Sequence, residues 1–441
     1  MDTLFRLKAH QTTAKTEIMA GITTFMTMAY ILALNPLILG QAGMPAAGVF
    51  TATALASAIA TLAMALLANL PVALAPGMGL NAFFAYTVVL GMGYPWQLAL
   101  AAVLIEGILF ILMSLFDIRE RIIHSIPNNI KKAVTIGVGL FIAYIGLKNS
   151  GVIAFNTPAG VVDGQAVVFS VVPKPAAVTH GAPLLAVLGL VITMGLLVRK
   201  VRGALLIGIL TTTVLGIPLG VTVLEKGFRP FSLPAAPLLF QFDFRNMLSL
   251  DFLVVLFTFL FVDVFDTVGT LVGVASEAKL IDAHGHIPRA KQALLSDAIG
   301  TVVGACLGTS TVTSYVESAA GVAEGGRTGL TAVVTGLLFL AALFFSPLFL
   351  VIPAAATAPA LVLVGFFMLS PAKDLDLADP TEAIPAFLTL AMIPLSYSIA
   401  EGLVYGVLSY VFLKVAAGRA RQVTLLVWIV AALFLLKLVL R

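Results

Sequence analysis

Apolar runs of membrane length recur fourteen times along this chain, separated by short polar breaks. They cover residues 17–38, 49–69, 71–90, 97–116, 131–148, 184–198, 203–218, 250–275, 293–306, 309–323, 327–346, 352–370, 382–395 and 400–416, numbered here as runs 1 to 14. A further apolar stretch, 423–440, reads either as a fifteenth crossing or as a helix packed along the outside. In hydrocarbon every backbone N–H and C=O must be paired within the protein, so runs of this length are read as transmembrane helices. Only 10% of the 441 residues are charged and 60% are hydrophobic, against about 25% charged in soluble domains. The fold class expected is therefore an all-α polytopic membrane protein.

Charge placement gives an orientation. The breaks after even-numbered runs hold Arg119, Arg121, Lys131 and Lys132, then Arg199, Lys200 and Arg202, then Lys279, Arg289 and Lys291, then Lys414, Arg419 and Arg421. The opposite side holds Lys148, Lys174, Lys226, Arg229 and Arg245, spread over two long loops. Basic loops stay cytoplasmic, which places the N-terminus inside a cytoplasmic membrane. The net charge of +4 is thus a topology signal, and no nucleic-acid partner is expected. Residues 1–16 contain no short apolar segment with a cleavage site, so no removable leader is expected. A single cysteine, Cys306, rules out an internal disulfide and offers no metal cluster. His284 and His286 with Asp282 lie in a polar break at a spacing that is not diagnostic of a metal site.

The halves of the chain echo one another. Glu106-Gly-Ile-Leu-Phe in run 4 resembles Thr335-Gly-Leu-Leu-Phe in run 11. Ile126-Pro127 precedes Gly139 by the same interval that separates Ile352-Pro353 from Gly365, and Ala204 to Gly208 resembles Gly402 to Gly406. A unit of seven crossings is odd, so its second copy enters from the opposite side and forms an inverted repeat. In such folds the interrupted segments meet near the membrane midplane. Here these are run 3, with Pro76, Gly77 and Gly79 ahead of Asn81, and run 10, with Thr309 to Ser314 ahead of Glu317. They should face runs 1 and 8 across the substrate site, and their half-helices should offer backbone N–H groups to a polar guest.

Run 8 places Asp263, Asp266, Thr267 and Thr270 on one helical face. Carboxylates at membrane depth mark functional sites by default. Asp266 and Glu317 have no lysine or arginine in any run interior to pair with. Burial and a second acid both favour a protonated carboxyl, which suits proton coupling. Carboxylates also accept hydrogen bonds from ring N–H groups, and Asn81 offers both donor and acceptor atoms. Asp263 reads as a companion that orients Asp266 or Thr267, and Glu106 as a packing or gate residue. No Gly-rich loop is followed by Lys-Ser/Thr, which argues against a nucleotide-driven pump.

Four ordered motifs carry a resemblance. Thr24-Phe-Met-Thr27-Met-Ala-Tyr30 with Asn35-Pro36, Gly77-Met-Gly79-Leu-Asn81-Ala-Phe-Phe84, Asp263-Val-Phe-Asp266-Thr-Val-Gly-Thr270, and Thr311-Val-Thr-Ser-Tyr-Val-Glu317-Ser-Ala-Ala-Gly321 resemble the nucleobase:cation symporter-2 family. The match is to its adenine/guanine/hypoxanthine permease (AzgA-like) branch and runs from about Thr24 to Tyr405. The resemblance implies fourteen spans as two inverted seven-span repeats. It also implies a core domain (1–116 and 250–346) and a gate domain (117–249 and 347–421), with 422–441 an additional helix. It puts the substrate-binding acids at Asp266 and Glu317 and the run 3 determinants at Gly79 and Asn81.

The reading that results is a proton-coupled importer of purine nucleobases. Asp266 and Glu317 hold the ring and Asn81 shapes selectivity. Thr27, Thr270 and the backbone near Val316 and Ser318 line the pocket, and Glu317, Asp266 and Asp263 are the candidates for proton coupling. Beyond the proton no cofactor or metal is expected. The partners are the base and the bilayer, with a homodimer as the candidate assembly. A uracil/xanthine-type or sodium-coupled symporter is the alternative, and an anion transporter of the same fold a more distant one, because two acids in the pocket repel anions. An intramembrane enzyme would need a nucleophile–base pair or metal set that these runs do not contain.

Overall fold

The computed structural model describes residues 2–115, 127–156, 159–162, 165–168, 172–224, 227–245, 247–280 and 287–440. Arg119, Arg121, Ile126, Lys226, Asp282, His284 and His286 lie outside the described residues. The apolar runs fold as helices, except that runs 3 and 10 each open with a short strand ahead of a helix. Nine helices among the described residues are long and apolar enough to cross a membrane, from Ala14–Gln41 to Ile399–Ala416. Shorter apolar helices are Met78–Gly91, Ala204–Gly216, Pro380–Leu395 and Leu425–Val439.

The fold is helical with two local exceptions. Between runs 5 and 6, strands Ile153–Asn156 and Val172–Pro175 pair antiparallel around the inner pair Ala159–Val162 and Gln165–Val168. In runs 3 and 10, Leu74–Pro76 pairs antiparallel with Val312–Ser314 in the middle of the bundle. That pairing answers the requirement on buried backbone: each unwound segment hydrogen-bonds the other. The flanking residues extend it, with Gly77 N–H donating to Thr311 O at 3.0 Å and Tyr315 N–H to Ala73 O at 3.0 Å.

Run 1 breaks at Ala29–Tyr30 into Ala14–Met28 and Ile31–Gln41. Pro36 lies inside the second piece and cannot donate to the carbonyl one turn back. Run 9 packs against runs 2 and 4, run 11 lies against runs 1 and 2, and run 8 lies against run 4. Run 5 packs against runs 12 and 13, run 14 lies on run 13, and run 6 lies against runs 7 and 12.

Several contacts occur twice. Thr193 in run 6 donates to Gly189 O at 2.7 Å, and Thr389 in run 13 donates to Pro385 O at 2.8 Å. A Cβ on Gly208 would strike Thr193, and one on Gly406 would strike Thr389, so both glycines permit the same close crossing. Thr61 of run 2 donates to Leu74 O at 3.1 Å, and Thr301 of run 9 donates to Val312 O at 2.9 Å. Gly139 and Gly365, which the sequence pairs as counterparts, meet backbone to backbone where runs 5 and 12 cross.

At the start of run 1, the fully buried carboxylate of Glu17 caps the helix of run 11. It accepts from the backbone N–H groups of Arg327 (2.9 Å), Thr328 (3.3 Å) and Thr331 (3.2 Å), and from Thr331 Oγ1 (2.6 Å). A carboxylate here meets both unpaired N–H groups and the positive end of the helix dipole. Glu17→Ala strands those donors and is expected to destabilise the protein by about 2–3 kcal/mol. The check is the melting temperature of the detergent-purified protein, which should fall by several degrees.

The stretch at 425–440 forms a helix antiparallel to run 14. At one end Lys414 bonds Gln422 Oε1 at 3.1 Å, and at the other Lys437 pairs with Glu401 at 3.5 Å. This helix therefore follows run 14 along its whole length, which the sequence left undecided. Phe434, fully buried, meets Phe257 of run 8 edge-on with centroids 5.8 Å apart.

Candidate functional site

The strand crossing of runs 3 and 10 sets the site. Just beyond Pro76 the chain turns through Gly77 into the half-helix that begins at Met78. Gly77 must lack a side chain, because a Cβ would lie 2.5 Å from Thr313 Cγ2 on the opposite strand. The same Cβ position is 3.7 Å from Asp266 Oδ2, so the carboxylate of run 8 sits at the start of this half-helix. On the other strand the chain leaves Ser314, passes Tyr315, Val316 and Glu317, and enters the short helix Ser318–Ala323.

These segments line a cavity of ≈ 70 Å³. Its walls are Tyr30 from run 1, Gly77, Met78 and Gly79 from run 3, Asp266 and Thr270 from run 8, and Ser314 to Glu317 from run 10. Val364 and Met368 of run 12 complete it. Among the described residues, the wall contains two carboxylates and no basic side chain. Tyr315 is oriented by donating to Pro76 O at 2.6 Å, which locks it to the facing strand. Gly79 also marks a contact between neighbours, since a Cβ there would come within 2.7 Å of Val138 Cγ1 in run 5.

Asp266, Glu317, Gly79, Thr270 and Val316 line the cavity. Asn81, Thr27, Ser318 and Asp263 stand behind its wall. Asn81 is fully buried, its Oδ1 accepting from Ser310 Oγ, while its Nδ2 has no partner among the described residues. The Thr27 hydroxyl points at carbonyls of its own helix, 2.8 Å from Thr24 O, and lies 3.3 Å from Glu317 O. Ser318 Oγ accepts from Ala73 N–H at 3.0 Å, and Ser318 N–H is spent on Tyr315 O. Glu106 accepts from Thr311 Oγ1 at 2.7 Å, which anchors run 10 to run 4.

Two residues were not singled out from sequence. Asp297 of run 9 is fully buried beside Asp263. The Thr267 hydroxyl sits 3.2 Å from Asp263 Oδ1, 3.0 Å from each Asp297 oxygen and 2.8 Å from Thr313 Oγ1. A hydroxyl has one hydrogen to give, so it serves one of these acceptors at a time. Asp297 carries the same signal as Asp266, an acid within an apolar run, close to the start of run 9. The other is Tyr30, at the break in run 1, whose phenol donates to Glu317 Oε1 at 2.5 Å. Its place in the Thr-Met-Ala-Tyr motif was the available signal. Among the described residues no three His, Cys, Asp or Glu side chains converge in a metal-holding group.

Residues 15–405 match the model of the Permease family labelled Xan_ur_permease. The chain belongs to this family. It is a membrane transporter and not an enzyme. It is 44% identical to the adenine permease AdeP of Escherichia coli, covering 100% of this chain and 96% of that one. It is 42% identical to the guanine/hypoxanthine permease PbuO of Bacillus subtilis over 99% of each. Among solved structures, the transmembrane domain of the cyanobacterial bicarbonate transporter BicA superposes with a TM-score of 0.64 at 15% identity, covering 88% of this chain and 97% of that one. That likeness concerns the fold alone.

Proposed function

We propose that the permease moves purine nucleobases (hypoxanthine, guanine or adenine) across the cytoplasmic membrane together with a proton, inward and by alternating access. The observation that carries this reading is the pair of carboxylates, Asp266 and Glu317, in one cavity whose wall holds no basic side chain. Two acceptor groups of this kind suit a neutral heterocycle bearing ring N–H groups, and they suit a proton that compensates their charge. The relatives named for adenine and for guanine/hypoxanthine are almost equally similar, which supports the purine class without choosing a member.

The packing supports a division into two moving parts. Runs 1–4 and 8–11 (1–116 and 250–346) form a core domain, and runs 5–7 and 12–14 (117–249 and 347–421) form a gate domain. The two are built from inverted seven-span repeats with the N-terminus in the cytoplasm. The duplicated Thr–Gly contacts, the meeting of Gly139 with Gly365 and the central strand pair support the repeat, since counterparts touch near a two-fold axis. All of the cavity wall except Val364 and Met368 belongs to the core. Sliding of the core past run 12 therefore enlarges the cavity and turns it from one side of the membrane to the other.

Uptake of labelled hypoxanthine in a strain lacking its own purine transporters tests the assignment. Adenine and guanine should compete more strongly than xanthine or uracil, and uptake should collapse with a protonophore. Uptake that tracks a sodium gradient instead would select the sodium-coupled alternative. Failure of all purines to enter or compete would remove the substrate class.

A further inference from the structure

The geometry points to Tyr30 as a positioning residue for substrate recognition: its phenol holds Oε1 of Glu317, leaving Oε2 turned to the cavity as acceptor for a ring N–H of the base. The inference rests on the reading of Glu317 as a ligand to the base. The phenol–carboxylate bond is 2.5 Å, and the Tyr30 ring is almost wholly buried. Tyr30 and Glu317 are 287 residues apart and both line the cavity. No other side chain among the described residues bonds the Glu317 carboxylate.

Tyr30 itself is well anchored. It sits at the break of run 1, where its carbonyl accepts from both Ala33 N–H and Leu34 N–H at 3.0 Å. On the Glu317 side, the Thr27 hydroxyl lies 3.3 Å from the backbone oxygen of Glu317, so run 1 touches both the main chain and the side chain of this acid. The other cavity phenol, Tyr315, is already committed to Pro76 O and cannot substitute. A carboxylate free to rotate presents either oxygen over a wide arc, whereas one pinned at Oε1 offers a single direction. Such pinning lets the site separate bases by where their N–H groups lie.

The test compares wild type, Tyr30→Phe, Tyr30→His and Glu317→Gln. Each is measured for hypoxanthine uptake and for competition by singly N-methylated hypoxanthines, each lacking one ring N–H. Tyr30→Phe removes only the hydroxyl. It should raise KM about tenfold, the worth of one hydrogen bond to a charged group, with maximal rate nearly unchanged. It should also narrow the spread among the methylated competitors, an effect that lost packing alone would not produce. Tyr30→His restores a donor and should recover part of that spread. Should membrane amounts fall, binding to purified protein, scaled to folded protein, reads the same comparison. A Tyr30→Phe protein with wild-type KM and spread, beside an inactive Glu317→Gln, overturns the role of Tyr30 alone, as does a Tyr30→His no better than Tyr30→Phe. A fully active Glu317→Gln overturns instead the reading of the site.

Discussion

Glu317→Gln and Asp266→Asn are each expected to lower hypoxanthine uptake at least 100-fold at unchanged protein abundance. The amide keeps the size and shape of the acid, so the cavity wall stays in place. What changes is chemistry: one acceptor oxygen becomes an NH₂ donor and the group can no longer take up a proton. Facing a ring N–H, that NH₂ sets donor against donor, and a lost charge-assisted bond is worth about 1.5–3 kcal/mol before repulsion is counted. A loss of 2.7 kcal/mol or so already corresponds to roughly 100-fold. Counterflow separates the two roles of each acid. A variant that exchanges labelled for unlabelled base yet fails to accumulate it has lost coupling and kept binding. Both amide variants transporting within twofold of wild type would end the proposal that these acids serve the base.

Substituting leucine at Gly139 or at Gly365 should prevent assembly of the transporter. Runs 5 and 12 cross at these two glycines so closely that a Cβ on Gly139 would lie 2.7 Å from Gly365 O and 2.7 Å from Met368 Cβ. On the other side a Cβ on Gly365 would meet Gly139 O, and Ala143 Cβ at 2.9 Å. Backbone cannot yield as a flexible side-chain tip can, so the helices must part. Overpacking of this kind costs about 3 kcal/mol or more, and it falls in the contact that joins the two halves of the proposed gate domain. The expected readout is loss of the folded, monodisperse species in detergent. Alanine at Gly139 is the milder probe, because it brings the Cβ against Gly365 O and Met368 Cβ without the bulk that leucine adds beyond it. Met368 also lines the cavity, so this variant should impair uptake more than it lowers abundance. A monodisperse, thermally unchanged Gly139→Leu protein would contradict the close crossing.

Legibility of the site varied residue by residue. Asp266 and Glu317 could be found because an acid in an apolar run is conspicuous, and both do face one cavity. Asn81 was equally conspicuous, yet it turns to Ser310 behind the strand pair. A polar side chain in a run has two outlets, a neighbouring helix or a cavity, and nothing local distinguishes them. Asp297 shows the converse, an acid not singled out from sequence that the packing brings beside Asp263 and Thr267.

The sequence by itself determined the apolar runs, the interruption of runs 3 and 10, and the identity of the two cavity acids. Hydrocarbon imposes these on each segment separately, through length, apolarity and the cost of an unpaired charge. Tertiary structure alone decided the register that pairs Ala75 with Thr313, the bond from Tyr30 to Glu317, the Gly139–Gly365 crossing and the course of helix 425–440 alongside run 14. Those contacts join residues far apart in the chain. Their partners are chosen by which surfaces fit once the helices pack, a property of the assembled bundle and of no segment within it.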